Sequence, residues 1–279
     1  MKRILIPVDF SDESLNALDA GHQLAKMVDG ELTLLNVIEV GRAYLDASGE
    51  EMEPGEDEHQ FISKAKKNIK ARLEELCGQF TDIEATSAVK IGNTYACISS
   101  MIEQNDIDLV LMGSKGASGL KELLIGSNTE KVVRYSGIPV LTIKEKVDFT
   151  GIDKIALALH PNDSFEHVMS QVKHLQRVFN ATLHLVTINT PGDWRTTREL
   201  HTFLKSVALN HDLENYELHF YDAKSFEEGI IYFASDQEMD MIGLLTHRRV
   251  GLGRIFSGSA TEDVVNHARR PILTFSLKD

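Results

Sequence analysis

The sequence repeats itself at a fixed distance. Gly126-Ser-Asn-Thr-Glu-Lys-Val-Val, followed by Pro139-Val-Leu-Thr, returns 132 residues later as Gly258-Ser-Ala-Thr-Glu-Asp-Val-Val, followed by Pro271-Ile-Leu-Thr. A segment that recurs with its internal spacing intact is one structural unit built twice. The 279 residues therefore divide into two domains, 1–147 and 148–279, each long enough to bury its own core. The charged stretch from Glu145 to Gly151 reads as a short linker between them.

Within each copy, strand and helix patterns alternate. Arg3 to Val8 is an apolar run suited to a strand buried on both faces, and Ser11 supplies an N-cap for apolar positions at helical spacing. Asp29-Gly30 ends that helix, and Glu31 to Val40 reads as a second strand. Helix over Phe61 to Leu76, strand over Ile83 to Val89, helix over Thr94 to Ile102 and strand over Leu109 to Met112 follow. Ser127 to Tyr135 is helical, Gly137 closes it, and Pro139 to Ile143 is the fifth strand. The second copy has strands over Lys154 to Leu159, Thr182 to Ile188, Glu217 to Tyr221 and Met239 to Leu245. Its helices run over Ser164 to Phe179, Thr196 to Ala208 and Phe226 to Ser235. Such alternation predicts an α/β fold with parallel sheets covered on both faces and ligand sites at the carboxyl ends of the strands.

One such strand end carries chemistry. Gly113 follows the fourth strand, Gly116 comes three residues on, and nine residues later Gly126-Ser127 opens a helix, giving Gly-x2-Gly-x9-Gly-Ser. Glycines let backbone amides approach a phosphate chain, and a helix start adds free amides and a partial positive charge. The pattern is neither a Walker A loop, which needs Gly-Lys-Ser/Thr, nor the Rossmann Gly-x-Gly-x-x-Gly. It is lost from the second copy, where Leu245 and Arg248 occupy the places of Gly113 and Gly116, while Gly258, Ser259 and Pro271 remain.

On these residues, and on Ile4-Leu-Ile-Pro-Val-Asp-Phe-Ser at the start, the chain resembles a tandem universal stress protein, two universal stress domains fused in one polypeptide. The resemblance implies two open, parallel five-stranded sheets of the Rossmann-like, adenine nucleotide alpha hydrolase-like kind. It also implies an intramolecular pseudo-dimer, with Val140 to Ile143 pairing Ile272 to Phe275 as the last strands of two subunits do in single-domain relatives. By similarity to the ATP-binding branch, Asp9 reads adenine or ribose beside Pro7 and Val8, and Val37 packs on the adenine. Met112, Gly113, Lys115, Gly116, Gly126, Ser127, Asn128 and Thr129 form the phosphate loop, with Asn128 standing where the family often has an apolar residue. ATP is the implied ligand, with ADP or AMP as alternatives and Mg2+ allowed. The second domain departs at His160 for Asp9, Lys224 for Gly92, and the two lost glycines, so it is expected to hold no nucleotide in this manner. Arg248 is expected to fill the vacated phosphate space or to hold a smaller anion there.

Charge and composition narrow the function classes. Twenty-nine basic against 42 acidic residues give a net charge of −13, which disfavours nucleic acid and anionic membranes. Two cysteines, Cys77 and Cys97, and no basic-then-apolar leader ahead of the first strand point to a reduced, cytoplasmic protein. The acidic stretch from Gly41 to His59 reads as a solvated loop. Nine of eleven histidines lie in the second half; His160, His167 and His174, spaced by seven, read as ordinary surface and core residues, and no metal site is assigned. Ser127 reads as N-cap and phosphate contact, and Trp194, Tyr232 and Phe233 as packing. No catalytic residue is assigned. The leading expectation is a stress-response regulator or nucleotide sensor that binds ATP in its first domain. A slow ATP hydrolase and a nucleotide-independent interaction module stay open beside it, as does a further homodimer.

Overall fold

The computed structural model describes residues 1–39, 56–114, 126–163, 165–247, 264–265 and 268–277, with side chains omitted for 56–59. The strands are β1 (Arg3–Pro7), β2 (Glu31–Ile38), β3 (Glu84–Ile91), β4 (Leu109–Gly113), β5 (Val140–Ile143), β6 (Lys154–Ala158), β7 (Thr182–Asn189), β8 (Tyr216–Asp222), β9 (Met241–His247) and β10 (Ile272–Leu277). They form one ten-stranded sheet in the order β3-β2-β1-β4-β5-β10-β9-β6-β7-β8. The helices are α1 (Asp12–Val28), α2 (Glu56–Gly78), α3 (Thr94–Gln104), α4 (Ser127–Tyr135), α5 (Met169–Phe179), α6 (Thr197–Asn210) and α7 (Phe226–Asp236).

Among the described residues the strands of each half pair in parallel, and the halves meet in one antiparallel strand pair, Ile272 opposite Thr142, Leu273 opposite Leu141 and Thr274 opposite Val140. This is the pairing expected of an intramolecular pseudo-dimer. Thr142 Oγ1 donates to the Ile272 carbonyl at 3.2 Å and Thr274 Oγ1 to the Val140 carbonyl at 3.2 Å, so each threonine ties its strand to the other half. On one face of the sheet a single apolar cluster runs across this seam, from Ile4, Leu34 and Leu111 through Leu141 and Leu273 to Leu157 and Leu185. On the other face each half keeps its own cluster. The connection between halves is packed rather than a loose linker. Phe149 is buried in the shared cluster, and Gln23 of α1 donates to the Val147 carbonyl at 3.0 Å and accepts from Phe149 N–H at 2.9 Å.

The internal repeat extends to backbone detail. Asp108 accepts from the amides of Lys2 and Arg3 at 2.7 and 3.0 Å, and Asp240, 132 residues on, accepts from those of Asp153 and Lys154 at 3.0 and 2.9 Å. Helix α1 begins with Ser11, whose hydroxyl caps Ser14 N–H at 3.2 Å. It ends at the expected Asp29-Gly30, with Asp29 taking the left-handed conformation at φ 50°. Gly30 serves a different need: a Cβ there would lie 2.5 Å from the Lys2 carbonyl oxygen, which accepts the first amide of β2.

Two element boundaries differ from the sequence reading. Helix α2 starts at Glu56 rather than Phe61, because the acidic residues of the expected loop also suit a first helical turn, where the macrodipole favours negative charge; residues 41–55 of that loop lie outside the described residues. Helix α5 starts at Met169, five residues later than Ser164. Trp194 is 67% exposed and Tyr232 51%, so of the three aromatics expected to pack only Phe233 does. Among the described residues no helix is long and apolar enough to cross a membrane.

Because Leu273 is 3% exposed at the centre of the seam, Leu273→Asp would bury an unpaired carboxylate there. The expected cost is ~4 kcal/mol or more, read as a lowered midpoint in urea unfolding.

Candidate functional site

Strands β1, β2 and β4 end side by side, and the start of α4 stands over them. Between these ends lies a cavity of about 290 Å³. Pro7, Val8 and Asp9 line it from β1, Val37 from β2, Met112 and Gly113 from β4, and Gly126, Ser127, Asn128 and Thr129 from α4. These are ten of the twelve residues singled out in the sequence; Lys115 and Gly116 lie outside the described residues.

Local hydrogen bonds fix the walls. Val8 N–H donates to Leu35 carbonyl at 2.8 Å, and the buried Asn36 amide donates to Val8 carbonyl at 2.6 Å, pinning the two strand ends together. Asp9 Oδ1 accepts from Ser11 N–H at 3.0 Å and from Ser11 Oγ at 2.5 Å, a turn that aims the chain from β1 into α1. Gly126 N–H donates to Ser114 carbonyl at 2.8 Å, drawing together the two ends of the 115–125 segment, and Thr129 Oγ1 donates to Gly113 carbonyl at 3.0 Å.

Two roles differ from the sequence reading. Gly126, not Ser127, is the N-cap of α4, and lacking a side chain it caps nothing, so the amides of the first turn face the cavity unclaimed by a capping group. Gly113 is required by packing as well as by any ligand. A Cβ there would lie 2.9 Å from the Glu13 backbone, so only glycine lets the first turn of α1 press on the end of β4.

Sequence reasoning passed over Ser14, Leu35, Asn36, Glu39 and Thr94, which also line the cavity. Thr94 Oγ1 donates to Glu39 Oε1 at 2.5 Å, and Asn128 Nδ2 donates to the same oxygen at 3.3 Å. Asn128, the departure from the family pattern, thus holds a carboxylate at the rim. The Thr94 hydroxyl first, then Asn128 and the charge of Lys131, outweigh burial and hold the Glu39 pKa below its ordinary value, keeping it ionised at neutral pH. A signal existed in the sequence: Glu39 directly follows β2, two residues past Val37.

The equivalent strand ends of the second half are closed by their own chain. Leu159 N–H donates to Val186 carbonyl at 2.9 Å and Thr187 Oγ1 to Leu159 carbonyl at 3.0 Å, reproducing the pins at Val8 and Asn36. Past that point the halves diverge. His160, where Asp9 stands in the first half, is buried and hydrogen-bonded to Asp193, and its Nδ1 accepts from Asn162 N–H at 3.2 Å. Asn189 grips the backbone of Arg195, accepting from its N–H at 2.9 Å, so the short 190–196 loop folds over the strand ends. Leu245 is buried in β9 opposite Phe275, as Gly113 lies opposite Ile143. Its side chain excludes the close approach that Gly113 allows, and α5 correspondingly lacks the early turns of α1. Sheet register puts Ala223, not Lys224, at the place of Gly92: Gly92 donates to Ile38 carbonyl and Ala223 to Asn189 carbonyl. Arg248, Gly258 and Ser259 lie outside the described residues. The histidines spaced by seven do not converge: His160 faces Asp193, whereas His167 Nε2 meets the Ser276 carbonyl at 3.1 Å.

Comparison with known proteins gives a consistent result. The sequence model of the universal stress protein family matches residues 1–144 and again 151–276. Universal stress protein MJ0577 of Methanocaldococcus jannaschii is 34% identical over 161 residues, which cover 52% of this chain and 96% of that protein. Universal stress protein Slr1230 of Synechocystis sp. is 25% identical over 299 residues, covering 99% of this chain and 100% of that protein. A universal stress protein structure from Archaeoglobus fulgidus shares the fold, with TM-score 0.75 at 20% identity over 99% of this chain and 97% of that one.

Burial beside these closed strand ends pushes the Asp163 carboxyl up to about 7. A raised acid pKa means the folded state prefers the protonated form, so this group's contribution to stability is full below the ordinary value near 3.8 and is lost as pH rises toward 7. Asp163→Asn should therefore raise the urea midpoint at pH 8 and change it little at pH 4.

Proposed function

Since the chain belongs to the universal stress protein family in both halves, we propose that residues 1–147 form an adenine-nucleotide-binding domain and that residues 148–279 form a structural partner. ATP is the proposed ligand, and the protein acts as a nucleotide-responsive regulator of stress physiology in the cytoplasm. The observation that carries this reading is the cavity at the carboxyl ends of β1, β2 and β4. Ten of the residues matching the ATP-binding branch border it, and the first-turn amides of α4 open into it.

The chemistry divides along the cavity. Val8, Val37 and Leu35 give an apolar wall suited to a purine, and Asp9 is placed to accept from the base or ribose. The α4 amides, with the Ser127 hydroxyl, suit phosphate oxygens, since helix starts carry partial positive charge. Glu39 is ionised and would repel phosphates, so it belongs to the ribose end, where a carboxylate accepts from sugar hydroxyls. Mg2+ would accompany a triphosphate. The reading assigns no general base and no catalytic role; incubation with radiolabelled ATP separates a binder from a slow hydrolase.

Three measurements test it. Thermal unfolding with ATP, ADP, AMP and NAD should show an adenylate-specific rise that grows with ligand as RT ln(1 + [L]/Kd); no rise with any adenylate would end the proposal. Gly126→Asp gives α4 a carboxylate cap, so the unliganded protein should hold its stability or gain a few tenths of a kcal/mol, about the N-cap difference, while losing ATP affinity more than AMP affinity. Glu39→Gln should weaken ATP and AMP alike, by about tenfold, the scale of one charge-assisted hydrogen bond.

A further inference from the structure

A cluster remote from this cavity is unused by the nucleotide reading. His184 on β7 lies directly opposite Glu217 on β8, and His219, two residues along β8, shares their face of the sheet. His184 Nδ1 and His219 Nε2 are 2.9 Å apart, and Glu217 Oε2 lies 3.8 Å from the first and 3.5 Å from the second. Within the described residues this is the one group of three or more His, Cys, Asp or Glu whose donor atoms converge in this way.

The twin half shows that the fold does not require these residues. At the same register Thr33 lies opposite Thr86, with their hydroxyls 3.4 Å apart, and Ala88 stands where His219 does. A threonine pair closes that position with no ionisable group, whereas the second half places a buried imidazole, a half-buried one and a carboxylate there. His219 is further fixed by Phe233 of α7, ring centroids 5.0 Å apart, and stacks on His184 at 5.0 Å. Burial first, and for His184 then the neighbouring His219 and Lys154, lowers both imidazole pKa values against the opposing pull of Glu217 and, at His184, Asp240. The two facing ring nitrogens share one hydrogen bond, and an ion would displace its proton and take a lone pair from each ring.

We propose that His184, Glu217 and His219 form a binding site for a divalent transition metal of the zinc class. Two imidazole nitrogens and one carboxylate oxygen suit such an ion, and metal–nitrogen distances of about 2.0–2.1 Å require the two nitrogens to part only to about 3.4 Å for tetrahedral geometry. Glu217 has a side chain 60% exposed on the edge strand β8, so the ion is reached from solvent and keeps an open position there. The ion would pin β8 to β7, at the edge of the sheet farthest from the seam.

Equilibrium dialysis of the tag-free, chelator-treated, nucleotide-free full chain against zinc at pH 7.5 tests this, with Co2+ as a second, spectroscopic probe. One equivalent of zinc should bind, and Co2+ should show the visible absorption of a tetrahedral nitrogen–oxygen site. His219→Gln and Glu217→Gln should each weaken zinc by at least about tenfold, the loss typical even of a group one step removed from a metal. Glu217 is exposed, so its variant folds whatever becomes of His219→Gln, and circular dichroism checks both. No zinc bound, or wild-type affinity in folded Glu217→Gln, would overturn the proposal.

Discussion

Three residue pairs, Val140 with Thr274, Leu141 with Leu273 and Thr142 with Ile272, hold the molecule together as one sheet. A parallel five-stranded sheet leaves an edge with unpaired amides and carbonyls, and exposed edges recruit other chains. Here each half supplies the other's missing neighbour. Because the pairing is antiparallel while each half is parallel, the carboxyl ends of β1 to β5 and of β6 to β10 lie at opposite margins of the common sheet. The open cavity of the first half and the closed strand ends of the second are therefore kept apart.

Gly113 permits α1 to press on β4 and leaves the strand ends open beneath α4; buried Leu245 forbids the same approach. His160, Asp193 and Asn189 then knit the 190–196 loop over the strand ends. A fold that keeps its sheet while losing a site needs only to replace the groups facing the ligand, since the strand pins at Leu159 and Thr187 are made by backbone and a hydroxyl.

The legible part of the sequence was the part written in spacing. Alternating apolar runs gave the strands because a parallel strand is buried on both faces, and the constant offset of 132 gave the duplication and the matched strands β5 and β10. Ten cavity-lining residues were legible through the family pattern because they sit on short, fixed segments at strand ends. Glu39 and Thr94 were not, since they meet only where β2 and α3 come together across more than fifty residues of chain, and Asn36 was not, since it reaches Val8 only through the pairing of β1 with β2. The histidines spaced by seven, read as ordinary residues, do not converge. His160 and His167 precede α5, which starts at Met169, whereas His184 and His219, which spacing did not single out, meet because β7 and β8 pair in one register.

The amino-acid sequence by itself determined that there are two α/β units, where their strands run, and that one copy keeps glycines at positions 113 and 116 where the other has Leu245 and Arg248. Those properties are local: periodicity, turn chemistry and residue identity at fixed offsets. Tertiary structure alone decided which glycine serves packing and which serves the cavity, which residue closes each helix, and which charged side chains meet. A contact between strands or helices far apart in the chain depends on register and approach distance, and a shift of a single residue in β8 would turn His219 to the opposite face.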